Sequence, residues 1–246
     1  MDFGFLQSLK LSERWAADYS AIRQTEPRPR PREMPQVSVF ADLEWPFPRI
    51  VHTHDSLSRA LSYQFDQFSL RWTFGDHEQP NPYPGFESLL GELQEAFGYF
   101  AEVIDSESST RLVVNGCGCE YVNSIEDLSV ESWIVGYLTG WAATPGAPDS
   151  RTGAGRSHYG VREEVQSENS KEVCALEANA RKDGTTLRIR ATSQDSRDAK
   201  AEEGSELDNK SRIVEYFTTA HDLATVRFET TSSAAMKTSW ELNSAD

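Results

Sequence analysis

His221 and Asp222 stand side by side, and a histidine next to a carboxylate is a frequent starting point for general acid–base chemistry. On a helix, adjacent side chains diverge by about 100°, so these two cannot form a dyad by themselves. A partner has to arrive from another element. The segment CEYVNSI offers Glu120, Tyr121 or Asn123 to meet the histidine, and His221, Glu120 and Asn123 are taken as the candidate catalytic set. Against this stands the plainer alternative that His221 is a polar helix position making a structural hydrogen bond.

Two other pairs have the spacing of metal ligands. His52 and His54 in VHTHD share one face of a strand, and Cys117 and Cys119 in CGC share another. A structural zinc takes about four ligands, so neither pair defines a metal site. The cysteines read instead as small residues admitted by close packing beside Gly116 and Gly118. The glycines of TGAGRSHYG lack the lysine–serine or lysine–threonine pair of a phosphate loop, and no strand and helix are established on either side, so the segment reads as a flexible turn. The chain has no Gly-x-Ser-x-Gly elbow and no His-Glu-x-x-His helix, and nothing in it calls for a cofactor.

The elements that must carry these residues follow from periodicity. Phe5, Leu9, Trp15, Tyr19 and Ile22 recur at helical steps over residues 3–22. Pro27, Pro29 and Pro31 then impose an extended connector, read as a solvated linker or as a docking strip of alternating arginines. Alternating apolar residues from Leu61 to Phe74 predict a hairpin turning at Asp66-Gln67, with Tyr63 opposite Leu70 and Leu61 opposite Trp72. Phe86, Leu89, Leu90, Leu93, Phe97 and Phe100 predict a helix over 86–104. A strand is expected across RLVVNGCGCEYVNSI and a short helix across VESWIVGYLTGW, followed by an exposed loop at 143–157.

Asp183-Gly184 is a strong turn signal, which pairs Ala180 with Leu187, Ala178 with Ile189, Leu176 with Ala191 and Glu177 with Arg190. A polar loop follows at 194–210. Ile213, Phe217, Ala220, Ala224 and Phe228 then line one face of a helix over 211–229, and Ser233 is placed to cap a last short helix through Trp240. Hairpin followed by helix occurs twice. The expected class is therefore α+β: two hairpin-plus-helix halves sharing a mostly antiparallel sheet, divided into residues 1–142, a loop at 143–160, and residues 161–246.

Composition narrows the function. The net charge of −15 repels a phosphate backbone unless basic residues gather on one face, and residues 1–40 hold only six basic against five acidic side chains. Nucleic acid is therefore set aside, whereas a basic protein surface suits the charge. Three cysteines without a paired spacing fit a reducing compartment, so the expected location is the cytoplasm. No run approaches ~18 consecutive apolar residues, and the first residues lack an uninterrupted apolar core, so neither a membrane span nor secretion is expected.

Three separated segments also resemble the signatures of a sporadically distributed bacterial family of uncharacterised function. The first is FDQFSLRWTF with YPGFESLLGEL, although Gln67 stands where the family has a basic residue and Leu70-Arg71-Trp72 departs from its usual order. The second is the strand carrying Tyr121, Val122, Asn123 and Ile125. The third carries Ala220, His221, Asp222, Phe228 and Trp240. The resemblance runs from about Leu57 to Trp240. The family's opening Pro-Pro-led apolar strand has no counterpart after Met1, which implies a shortened start. The family's patchy distribution suggests accessory roles such as phage defence or toxin–antitoxin-like regulation. The chain is thus expected to be a non-enzymatic regulator, adaptor or accessory protein acting through a protein partner. An enzyme using His221 on a small substrate is the alternative.

Overall fold

The computed structural model describes residues 5–26, 49–64, 67–74, 82–106, 112–126, 129–130, 133–134, 158–167, 170–182, 184–195 and 209–234. The Pro/Arg connector, the loop at 143–157, residues 196–208 and the last short helix up to Trp240 lie outside these. Among the described residues the chain forms three helices and two four-stranded antiparallel sheets, an α+β architecture as the patterning predicts. The single shared sheet is not found: each half builds its own. The chain divides into two compact units, Met1–Val114 with Leu207–Lys210, and Asn115–Glu206 with Ser211–Asp246.

In the first unit, α1 (Phe5–Trp15) ends well before Ile22, and Ala21–Thr25 forms a strand, β1. It pairs antiparallel with β2 (Arg49–Thr53), which pairs with β3 (Arg59–Gln64), which pairs with β4 (Gln67–Trp72). Helix α2 (Phe86–Asp105) buries Leu90, Leu93, Ala96, Phe100, Val103 and Ile104. Several of these meet Leu11, Trp15 and Tyr19 and the strand residues Ile50, Leu61 and Tyr63 in one apolar core. The Glu92 carboxylate closes one side, accepting the Tyr19 hydroxyl at 2.6 Å and pairing with Arg59 at 3.1 Å.

The second unit contains β5 (Gly116–Glu126), β6 (His158–Gln166), β7 (Ser170–Arg181) and β8 (Gly184–Asp195), in the spatial order β5-β8-β7-β6. Helix α3 (Asn209–Thr231) buries Ile213, Tyr216, Ala220 and Ala224. With Val130, Trp133 and Ile134, its alanines join Cys174, Leu176, Ala178, Leu187, Ile189 and Ala191 in the unit's core. Although β5 precedes the expected division at residue 142, it pairs with β8 along its whole length and so belongs to the second unit. Gly160 and its neighbours His158 and Tyr159, read as part of a turn, begin β6.

Both hairpins form two residues away from the expected register. Tyr63 lies opposite Phe68 and Leu61 opposite Leu70, while Leu176 lies opposite Ile189 and Ala178 opposite Leu187. The last described pairs of the two ladders are Gln64 with Gln67 and Arg181 with Gly184. A displacement of two preserves which face each side chain occupies, so the apolar residues still turn inward. The reason in the second hairpin is Gly184. Here φ is +147°, and a Cβ would stand 2.1 Å from the Ile125 carbonyl oxygen, so the glycine is consumed by close approach to β5 rather than by the turn.

His52 is fully buried, its ring edge-on to Trp15 at 5.1 Å and stacked on Tyr63 at 5.6 Å. Burial lowers its pKa to about 4. The folded state therefore binds fewer protons than the unfolded chain between that value and the ordinary histidine range, and stability falls as pH drops through this window. Lowering the pH from 7 to 5 is expected to cost the first unit about 2 kcal/mol at this residue, measured by denaturant unfolding. His52→Phe should flatten the dependence, and an unchanged pH profile in that variant would contradict the assignment.

Candidate functional site

Residues of β5 alternate strictly between the two faces of the sheet. Cys117, Cys119, Tyr121, Asn123 and Ile125 form one set; Gly118, Glu120, Val122, Ser124 and Glu126 form the exposed other. The first set faces α3, because Cys119, Tyr121 and Ile125 pack against the core that includes Ala220 and Ala224. This parity decides which candidates meet. His221, half-buried on α3, receives its strand contact from Tyr121, whose hydroxyl lies 2.6 Å from Nδ1. The two ring centroids are 6.2 Å apart and tilted by 49°. Asp222 is exposed, as expected for neighbouring helix positions.

Glu120 is on the opposite face. Its carboxylate pairs with Arg188 at 2.9 Å and Arg190 at 3.2 Å, both from β8. Asn123 shares the face of Tyr121, half-buried and two residues further along the strand, but the described hydrogen bond to His221 comes from the tyrosine. The predicted set of His221, Glu120 and Asn123 is therefore not assembled as a unit. What is assembled is a Tyr121–His221 pair. The signal that favours Tyr121 is period-two alternation: it falls on the same face as Cys119 and Ile125, whereas Glu120 cannot.

A hydroxyl and an imidazole at this distance can pass a proton in either direction, with the tautomer of the ring setting which group donates. The pair also ties the helix to an edge strand, which is the structural role the sequence alternative describes. A second tie that the sequence reading missed lies towards the start of α3. Asp195, the last residue of β8, accepts the Tyr216 hydroxyl at 2.5 Å and pairs with Arg212 at 3.1 Å. Burial, with the bond to Asp195, raises the Tyr216 pKa well above the usual tyrosine range.

The cysteines do not offer reactive thiols. Cys119 and Cys174 sit beneath α3, with each Sγ 3.9 Å from a helix carbonyl oxygen, of Phe217 and Leu223 respectively. Burial pushes the Cys119 thiol up to about 12 and raises Cys117 and Cys174 as well, which disfavours the nucleophilic thiolate. The flanking glycines serve packing: a Cβ at Gly116 would meet Gln194 Cβ at 2.6 Å, and one at Gly118 would meet the Ala191 carbonyl oxygen at 2.9 Å. Among the described residues no three His, Cys, Asp or Glu side chains converge as a metal site. His52 lies in the core, and His54 Nδ1 accepts the Ser56 amide at 3.0 Å in the turn that follows β2.

If the Tyr121–His221 contact is chiefly a tie, Tyr121→Phe should lower stability by about 1 kcal/mol, as expected for one half-buried hydrogen bond. In a double-mutant cycle with His221→Ala, the two losses should then be less than additive. Additive losses would mean that the bond contributes nothing to the fold.

A comparison with family models, curated proteins and solved structures found no match to the chain in any of the three.

Proposed function

We propose that this protein is a non-enzymatic adaptor or regulator acting in the cytoplasm through a protein partner that presents a basic surface with room for aromatic side chains. The observation supporting this reading is an aromatic cluster at β4, one of the two outer strands of the first unit's sheet. Trp72 meets Phe74 at 4.3 Å and Tyr83 at 5.5 Å between ring centroids, and Phe74 and Tyr83 lie 6.4 Å apart. Phe74 is 63% exposed and Tyr83 43% exposed. Exposed, mutually supported aromatic rings cost apolar contact with water, and such residues dominate the energetics of protein interfaces. The charge of −15 selects basic partners and repels nucleic acid. A role in phage defence or toxin–antitoxin-like regulation rests on the family resemblance in the sequence.

The alternative reading is acid–base catalysis on a small substrate at His221, favoured by the 2.6 Å contact with Tyr121. Catalysis would require His221→Ala to abolish a turnover at nearly unchanged stability.

Affinity capture from the native host distinguishes the two readings. Phe74→Ala and Tyr83→Ala are expected to reduce recovery of a specific partner at least tenfold while shifting stability by no more than about 1 kcal/mol, because neither ring belongs to the buried core. Partner recovery that is indifferent to both substitutions would remove the aromatic cluster from the interface. Turnover in a parallel metabolite screen that vanishes only in His221→Ala would favour the enzyme.

A further inference from the structure

β6 lies at the outer edge of the second unit's sheet, with β7 as its described neighbour. Its residues Arg162 to Gln166 are exposed without interruption, and Val165 is 60% exposed. An edge strand carries backbone donors and acceptors that can pair with another strand, and natural proteins commonly place charges there to deter it. The charges of β6 have a particular order. Residues 161–165 read Val-Arg-Glu-Glu-Val. Laid antiparallel against its own reverse about Glu163, the strand sets Val161 opposite Val165 and Arg162 opposite Glu164, twice each. Gly160 then meets Gln166, and Tyr159 meets Ser167.

Directly opposed residues of an antiparallel pair lie on the same face, so each apolar and each opposite-charge pair is in contact. The two copies of Glu163 meet at the axis, and each is already paired with Arg227 of its own α3. The other outer strands lack this property. β1 and β4 each carry one charge, Arg23 and Arg71, and β5 carries only Glu120 and Glu126. None can form opposite-charge pairs with its own reverse.

We propose that a second copy of this chain pairs antiparallel with β6 about Glu163, joining two four-stranded sheets into one of eight strands across a two-fold axis. Such an interface is self-complementary, as a symmetric dimer requires. The Arg162–Glu164 contact at 3.0 Å and the Lys171–Glu164 contact at 2.7 Å within the single chain lie at the exposed surface, where exchange for an equivalent contact across the axis costs little.

Charge exchange tests the register. The full chain should show a reversible, concentration-dependent doubling of mass by analytical ultracentrifugation. Arg162→Glu leaves only acidic side chains at 162–164, and Glu164→Arg places arginine opposite arginine; each should weaken association at least tenfold. An equimolar mixture of the two variants should restore it, as should the double exchange Arg162→Glu with Glu164→Arg. A second readout does not depend on charge. Under oxidising conditions, Val161→Cys chains mixed with Val165→Cys chains should form a disulfide-linked heterodimer in preference to either homodimer. A wild-type chain that remains monomeric at every concentration, association indifferent to the single exchanges, or equal yields of homo- and heterodimers would each overturn the proposal.

Discussion

Helix α3 rests on its sheet where small residues meet small residues. Ala220 and Ala224 on the helix and Ala178 and Ala191 on the strands are all at most 2% exposed, and thiols rather than larger side chains occupy positions 119 and 174 beneath the helix. Small side chains let a helix backbone approach closely, and the thiol-to-carbonyl contacts at Phe217 and Leu223 mark that proximity. The rest of the second unit depends on it. His221 follows Ala220 directly, so the approach that buries the alanine carries the imidazole to Tyr121. The same approach brings Tyr216 and Arg212 to Asp195, where one carboxylate satisfies two donors. A leucine at 220 would lift the helix and loosen both polar ties at once.

The two units solve the same covering problem with different chemistry. The first is aromatic, with Trp15, Tyr63, Phe68 and Phe100 meeting through tilted rings, and it admits one fully buried imidazole. The second gathers small and aliphatic side chains around the fully buried Trp133, and on the outer face of its sheet Glu120 bridges two arginines. That difference assigns the histidines opposite roles. His52 is kept neutral by its surroundings, whereas His221 holds a hydroxyl at the margin of its core.

Periodicity made the covering helices legible: residues 86–104 and 211–229 were readable as helices because their apolar residues recur every three or four positions over several turns. Strand faces were legible too, since Leu176, Ala178, Leu187 and Ile189 alternate with polar residues. Register was not, because parity is unchanged by a displacement of two and the turn signal at Gly184 also fits a glycine required by a neighbouring strand. β1 escaped detection because Tyr19 and Ile22 happen to continue the spacing of α1. β6 escaped because Glu163 interrupts the apolar alternation of Tyr159, Val161 and Val165. At the site, the histidine was identifiable from its neighbours, but its partner depends on which strand residues share a face. That criterion selects Tyr121 over Glu120, and it can be applied to sequence once the strand is accepted.

The fit of Gly184 against β5 joins a local pairing to a distant one. β7 and β8 are joined by two residues and can pair early, at little cost in chain entropy. β5 must instead find β8 from far away in the sequence, its Gly116 meeting Gln194 and its Glu126 meeting Gly184. Such distant pairing is slow to form, and this one has no room for a side chain at 184. Without β5, β8 would be the open edge of a three-stranded sheet, so β5 is the strand that makes β8 an interior one.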